Sequence, residues 1–423
     1  MKKFKIFFLI VIVVFSLSNC TTNDGYLYKI FKDGKYGFID SIGNEVIKPQ
    51  YILALGFSDG LALVVTDTSI IYPKPTAPIP IDKIDFKSIK KFNGFGFSNL
   101  DTLIEFKYGY ININNKMVIN NTYSLRSKFS KFSKSIVDQN LFVLGKYMFY
   151  DGLALFKDST NKYGFIDKKG SVTIKPIYED AKNFSDGLAA ICIFDSLKHS
   201  NKWGYIDVKG TIVLEPKYDE ANDFLEGLAF VFLSGTDFSK SLKDNPEGNV
   251  KLNYNWLLIN KNGKLIGEPL NALFSNPYGF YDGISIVESK FFFKHVGFRF
   301  MDINGKYTTD FDIENVTIFG NGYAGVKSKE GWLFVDKKMN IKSAIYENVQ
   351  RFQEGIAPIK ENGQWGYIDT TFKKVIDNKF DTCTNFNKGI ARVRMTSQSL
   401  VIEGLINKKG DFIWQNEFYD NNR

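Results

Sequence analysis

The sequence predicts an all-β protein: a tandem array of antiparallel β-hairpins, about three short strands to a repeat, stacked as an open, gently twisting solenoid. Three observations predict it. Residues 162–189 (KYGFIDKKGSVTIKPIYEDAKNFSDGLA) and 202–229 (KWGYIDVKGTIVLEPKYDEANDFLEGLA) align without a gap at a period of 40 residues. Matched turn signals recur in looser copies almost to the C-terminus. The spacings between successive turn Asp or Asn residues from Asp167 to Asp369 are uneven, at 40, 53, 42, 34 and 33 residues. A closed propeller-like ring, the alternative, is built best from equal blades.

Each element of the repeat has a local reason. Lys162 to Asp167 is aromatic, β-branched and bounded by turn formers, so it reads as a strand. Asp167-Lys168-Lys169-Gly170 reads as a turn, with Asp capping its amides and glycine taking the positive φ. Ser171 to Ile174 completes a hairpin. Pro176 cannot donate to a ladder and should end that strand or sit on an edge. Glu179-Asp180-Ala181 reads as a bent connection, Asp186-Gly187 as a second turn, and Leu188 to Phe194 as a third strand. The first turn recurs at Asp40, Asp207, Asn260, Asp302 and Asn407. The second recurs as Asp59-Gly60, Asp151-Gly152, Glu226-Gly227, Asp282-Gly283, Glu354-Gly355 and Lys388-Gly389. Asp336 and Asp369 lack a glycine three residues on, so their hairpins require a different turn. One repeat has too few large apolar side chains to offset the ordering of its backbone, so neighbours must stack and share a core.

Lys202-Trp203-Gly204-Tyr205-Ile206-Asp207 and Gln364-Trp365-Gly366-Tyr367-Ile368-Asp369 resemble the signature of the WG (or KWG) repeat family. Gly331-Trp332-Leu333-Phe334-Val335-Asp336 is a weaker copy without the glycine after Trp. Tyr replaces Trp in Lys35-Tyr36-Gly37, Lys107-Tyr108-Gly109 and Lys162-Tyr163-Gly164. The resemblance covers nearly all of the chain past residue 27, in eight or nine copies. It implies a β-rich repeat domain, often on exported bacterial proteins, with no general activity and no catalytic residues to carry over.

The N-terminus reads as an export signal. Lys2, Lys3 and Lys5 precede the apolar run from Ile6 to Phe15, which falls short of the roughly 20 residues a membrane-spanning helix needs but suits a secretory signal over residues 1–19. Leu17-Ser18-Asn19-Cys20 resembles a bacterial lipobox. That implies cleavage before Cys20 and acyl chains such as palmitate on its sulfur and amine, although Asn19 stands where a small residue is usual. The plainer alternative is a secreted protein with an incidental cysteine. Residues 20–27 then form a lipidated tether and 28–423 the repeat domain.

Three insertions interrupt the rhythm, at 66–106, 124–147 and 234–252. The first holds four of the chain's 11 prolines between Tyr72 and Pro80 and should be a stiff extended loop. The second carries Arg126, Lys128, Lys131 and Lys134 among serines and phenylalanines. It reads either as a surface for anionic headgroups or as a solvated loop anchored by Phe129 and Phe132.

Composition bounds the partners. The formal charge of +8 falls by three lysines to +5 once the signal is removed, which is mild and gives no footprint for nucleic acid. Aromatics at 16% predict stacked ring ladders in the core. Apart from Cys20, Cys192 and Cys383 remain and are expected as buried free thiols.

Candidate chemistry is thin. His199 and His295 lack partners at zinc-ligand spacing, and no nucleophile elbow or phosphate loop is present. The turn aspartates supply too few oxygens for calcium. Glu179-Asp180 and Asp219-Glu220 resemble glycosidase pairs but recur with the repeat, as structural residues do. Trp203, Trp332 and Trp365 are candidate binding residues, as an exposed aromatic platform for glycan or as core rings packed on neighbouring strands. The expectation is a monomeric, lipid-anchored protein of the bacterial outer membrane or cell surface that binds an envelope protein or glycan, without cofactor, metal or reaction. A hydrolase with a cleft in residues 234–300 using Glu288 and Asp282, and a passive spacer, are the alternatives.

Overall fold

The computed structural model describes residues 26–71, 79–80, 102–129, 144–197, 199–234, 254–271, 275–291, 294–309 and 313–419. These form nine small antiparallel sheets that follow one another in chain order, and none closes on itself as a barrel. The fourth sheet shows the plan: Asp180–Ala181, Leu188–Asp195, Ser200–Asp207 and Ile212–Tyr218, adjacent in space as in sequence. Most sheets therefore have four strands where three were expected, because Glu179-Asp180-Ala181 and its counterparts hold a two-residue strand, and the second sheet has five. The sheet is also out of step with the sequence repeat. The hairpin Tyr163–Asp167 and Val172–Tyr178 belongs to the third sheet, while the strand that follows it in the repeat opens the fourth. Each copy thus stitches two neighbours together.

The first turn forms as the residues dictate. Asp207 Oδ1 accepts from the amides of Lys209 at 2.9 Å and Thr211 at 2.8 Å. Asp40, Asp167, Asn260, Asp302 and Asn407 repeat the pattern. Asp336 and Asp369, expected to need another turn, make the same one. Met339 and Phe372 take the glycine position with φ of 64° and 63°. The carboxylate caps hold the geometry, so the side chain is forced into a region it ordinarily avoids.

The WG glycine is explained by a bulge. Trp203 pairs with Tyr218 but Tyr205 with Leu214, so Glu215-Pro216-Lys217 arches out of the ladder. The arch brings backbone so close that a Cβ on Gly204 would lie 2.5 Å from the Leu214 carbonyl oxygen and 2.7 Å from Pro216 N. Gly37, Gly164 and Gly366 meet the same obstacle. Pro176 sits in the equivalent arch on the outermost strand of its sheet; it does not end that strand.

Sheets are joined by aromatic pairs. Phe165–Phe184, Tyr205–Phe224, Phe334–Phe352 and Tyr367–Phe386 have ring centres 4.7–5.0 Å apart with planes 54–64° apart, each pair bridging consecutive sheets. Phe38–Phe57, Tyr110–Phe149 and Phe300–Phe319 repeat the pairing. At these junctions the expected stacked ladder gives way to tilted, edge-on couples, as the ring quadrupole prefers, whereas Phe230 and Phe280, between the fifth and sixth sheets, do stack, with planes 11° apart.

Two rims can be defined. Leu188, just after the Asp186-Gly187 turn, pairs with Asp207, which opens the next Asp turn, so both turn types share one rim. The strands run from there to the opposite rim, where Asp195 faces Ser200. Residues 66–106 are less irregular than expected at their ends: Leu61–Ile71 pairs with Thr102–Asn112, and that with Met117–Phe129, extending the second sheet past the opposite rim. Pro73, Pro75 and Pro78 lie outside the described residues.

The two ends of the row meet. Tyr28, Ile30 and Ile39 of the first sheet share a core with Ile390 and Leu405 of the ninth. Arg392 Nη2 donates to the Lys29 carbonyl at 2.9 Å. A Cβ on Gly43 would fall 1.9 Å from the Ile413 carbonyl oxygen. An open array with unequal repeats would hold these sheets apart.

Candidate functional site

The most regular feature of the turn rim is a chain of side-chain acceptors, six carboxylates and the Asn321 carboxamide. In each Asp-Gly or Glu-Gly turn both residues have positive φ, as at Asp186 (53°) and Gly187 (79°), the type I′ pattern of tight hairpins. The acid of one turn accepts from the glycine amide of the next. Asp59 holds Gly152 at 2.7 Å, Asp151 holds Gly187 at 2.9 Å, and Asp186 holds Gly227 at 2.7 Å. Glu226, Asp282, Asn321 and Glu354 continue the series to Gly283, Gly322, Gly355 and Gly389. Eight turns are thereby tied by seven acceptor side chains, of which Glu226 and Glu354 also take the amide before the glycine. Lysines of the neighbouring Asp turns brace the acids: Lys337 lies 3.0 Å from Asp282, and Lys408 lies 3.3 Å from Glu354.

The series changes where the first, second and ninth sheets meet. The eighth turn carries Lys388 in place of an acid, and its Nζ lies 4.0 Å from the centre of the Tyr26 ring. The Tyr28 hydroxyl donates to the Lys388 carbonyl. Burial, helped by Tyr26 and Glu354, pushes the Tyr28 phenol up to about 12. A cavity of about 500 Å³ opens here, lined by Tyr26, Phe57, Ser58, Asp59, Ile113 and Lys388 among others. It offers apolar walls, one carboxylate and one ammonium. Lys388-Gly389 among acid-glycine turns was the sequence signal for this place; the cavity itself needs residues 360 positions apart brought together.

The sequence-predicted site residues are elsewhere. Trp203, Trp332 and Trp365 are half-buried in three different sheets, packed on apolar clusters. Lys182 Nζ lies 6.0 Å from the Trp203 ring centre. Arg126 and Lys128 fall on a strand, opposite Glu105 and Leu103 in register, and not on a loop. Lys131 and Lys134 lie outside the described residues. The paired acids engage lysines: Glu179 with Lys162, Asp180 with Lys146 at 2.7 Å, and Asp219 with buried Lys202. Burial alone would raise the Asp219 carboxyl, but the Lys202 and Ser234 bonds outweigh it and hold it low. Asp282 belongs to the turn series, and Glu288 faces Phe298 across its hairpin. Cys192 and Cys383 are free thiols; Cys192 is buried and Cys383 half-buried. Burial pushes them up to about 11 and about 12.

The family model described as a WG containing repeat matches residues 36–67, 163–193, 203–236, 334–365 and 365–397. The chain therefore carries WG repeats at five places. No curated protein matches it. Among solved structures it is similar to a eukaryotic initiation factor, with 11% identity, TM-score 0.39, and coverage of 95% of this chain and 87% of that one. It is similar to a quinonprotein alcohol dehydrogenase-like protein from Bacteroides thetaiotaomicron, with 11% identity, TM-score 0.31, and coverage of 85% and 89%. It is also similar to the β-propeller domain of the Trilobed protease from Pyrococcus furiosus, with 10% identity, TM-score 0.30, and coverage of 87% and 97%. At these TM-scores the likenesses carry no argument about function.

Proposed function

We propose that the protein is a lipid-anchored component of the bacterial envelope that binds a protein or glycan partner, and that its nine sheets form a closed ring serving as a rigid frame. It binds and does not catalyse. One observation carries the reading: a rim tied turn to turn by acids, from which strands run to an opposite rim where the insertions emerge. Function is commonly placed on such loops when a stiff scaffold holds them. Cys20 supplies the anchor, as the Leu17-to-Cys20 sequence implies.

The test is capture from envelope extracts by the full chain, compared with a variant whose residues 72–101 are replaced by a short Gly-Ser link. Reproducible enrichment of a protein or glycan by the full chain, lost in the variant, is expected. No enrichment by either overturns the binding reading. The ring is tested separately by Gly43→Ala beside Gly34→Ala. Both glycines have positive φ, at 94° and 76°, but a Cβ on Gly34 meets nothing within 4 Å. The Gly43 variant should lose clearly more thermal stability; equal losses overturn closure at that contact.

A further inference from the structure

The seam between the first, second and ninth sheets interrupts the turn series in a specific way. Elsewhere each turn both receives an acceptor from the turn before it and sends one to the turn after it. Glu226 accepts from the Asp282 and Gly283 amides at 2.6 and 2.7 Å, while the Asp282 carboxylate goes on to the Gly322 amide. Glu354 takes the Lys388 and Gly389 amides in the same way. At the seam the series runs out at both ends. Tyr28 faces Ile39 as Ala189 faces Ile206, so Tyr26 stands at the register place of Gly187. The first sheet thus has no acid-glycine turn among the described residues. Asp59 reaches forward to Gly152, but no acid of the described residues reaches Gly60. At the other end the last turn carries Lys388 in place of an acceptor, with its Nζ on the Tyr26 ring.

Gly60 and Lys388 line the same cavity, of about 500 Å³. A backbone donor and an ammonium therefore border one space, at the joint where a carboxylate stands elsewhere in the series. The remaining walls include Tyr26, Phe57 and Ile113. Ile113 follows the cap Asn112, the place from which Lys337 and Lys408 brace acids in other sheets. The volume falls in the range of roughly 300–1,000 Å³ found for small-molecule sites.

We infer that this cavity is a binding site for a small organic carboxylate with an aromatic or branched aliphatic body. The ligand's carboxylate takes the place of the missing acid: it accepts from the Gly60 amide, and Lys388 offsets its charge. Its body lies against Tyr26, Phe57 and Ile113. Asp59 does not oppose it, since that carboxylate is held by the Gly152 amide at 2.7 Å, as Asp282 is held by Gly322 beside Glu226. An amine in the same place would set two cations together and leave the Gly60 amide without an acceptor. The site needs only the contact of the first and ninth sheets, which share a core. It depends neither on Cys20 nor on an envelope partner.

The experiment is a calorimetric titration of the full chain with acetate, isovalerate and 3-phenylpropionate, and with 3-phenylpropionamide as the uncharged counterpart. Saturable one-site binding is expected, tighter for isovalerate or 3-phenylpropionate than for acetate. The amide should bind at least about tenfold more weakly, because the charge-assisted bonds are lost. Lys388→Met should weaken 3-phenylpropionate by a similar factor; Lys388 is exposed, and the variant's unfolding temperature checks that the fold is intact. Ile113→Glu keeps Lys388 but adds a carboxylate to the apolar wall, and it too should weaken binding. Lys209→Met, an exposed turn-rim lysine of the fourth sheet, should bind as the parent does. No saturable binding of any of the three acids overturns the site. Equal binding of acid and amide, or binding unchanged by Lys388→Met, overturns the assignment of a carboxylate to this cavity.

Discussion

The fourth and seventh sheets use one motif and solve one steric problem in two ways. In the fourth, Trp203 is followed by glycine, and its neighbouring strand arches through Pro216 towards Gly204. In the seventh, Trp332 is followed by Leu333, which is buried at 7% exposure, and the glycine stands before the Trp. The segment from Ile341 to Tyr346 is one residue shorter than Ile212 to Tyr218, while the flanking pairings match: Val335 with Ile341 as Ile206 with Ile212, and Trp332 with Tyr346 as Trp203 with Tyr218. Losing one residue moves the close approach. A Cβ on Gly331 would lie 2.7 Å from the Tyr346 carbonyl oxygen. The glycine follows the backbone contact and not the tryptophan.

The comparison can be broken first at a hairpin turn of the eighth sheet that packs on the seventh. Phe372 holds a positive φ, yet its ring lies 5.0 Å from Tyr323 and 5.8 Å from Phe352. Phe372→Gly relieves the backbone but empties that contact and should cost about 3 kcal/mol or more. Met339→Gly at the same turn position should cost far less, because relief of a left-handed residue, about 1–2 kcal/mol, offsets the lost packing. Urea unfolding of both variants checks the contrast; equal losses would show that φ strain, and not ring packing, governs these turns.

The next largest effect sharpens the glycine account. Gly204→Ala and Gly331→Ala should each cost about 1–3 kcal/mol through a clash with backbone. Leu333→Gly should also destabilise, since it removes a buried side chain without any clash to relieve. A neutral Gly331→Ala, measured by thermal unfolding, would return the glycine requirement to the residue after Trp.

The smallest effect concerns the ion pair beside the arch. Lys202 and Asp219 have side chains 8% and 22% exposed, while Lys162 and Glu179 at the same repeat positions are 33% and 37% exposed. Lys202→Met should cost about 1–3 kcal/mol at neutral pH, since the remaining carboxylate is largely shielded from water. Lys162→Met should cost under about 1 kcal/mol. The Asp219 carboxyl is lowered in the folded chain, so its contribution is present above the unfolded value of about 4 and is lost as pH falls through the folded value. The gap between Lys202→Met and the parent should therefore close in acid; a gap that persists unchanged at low pH would assign it to packing of the lysine stem.

The 40-residue spacing, the two turn signals and the aromatic positions made the strands legible, because each rests on neighbours within a few residues. Asp207 caps its own turn, and no distant group is needed. The turn at Asp336 and Asp369 was misread because a missing glycine looks decisive locally, while the cap outweighs φ strain. The candidate binding residues were legible only as types. Trp203 and Trp365 read equally as platform or core, and their half-burial depends on the next sheet. Arg126 looked like a loop residue because the extension of the second sheet past its rim pairs strands from far apart in sequence.

By itself the sequence determined the module: hairpin, bulge and turns follow from short-range sterics and capping that any copy carries within it. Only the tertiary structure decided how modules are shared between sheets, that Lys388 meets Tyr26, and which rim carries the insertions. Those outcomes depend on how each sheet packs on the next along the row of nine described sheets. No single repeat encodes that packing, which brings the apolar faces of the first and last sheets together.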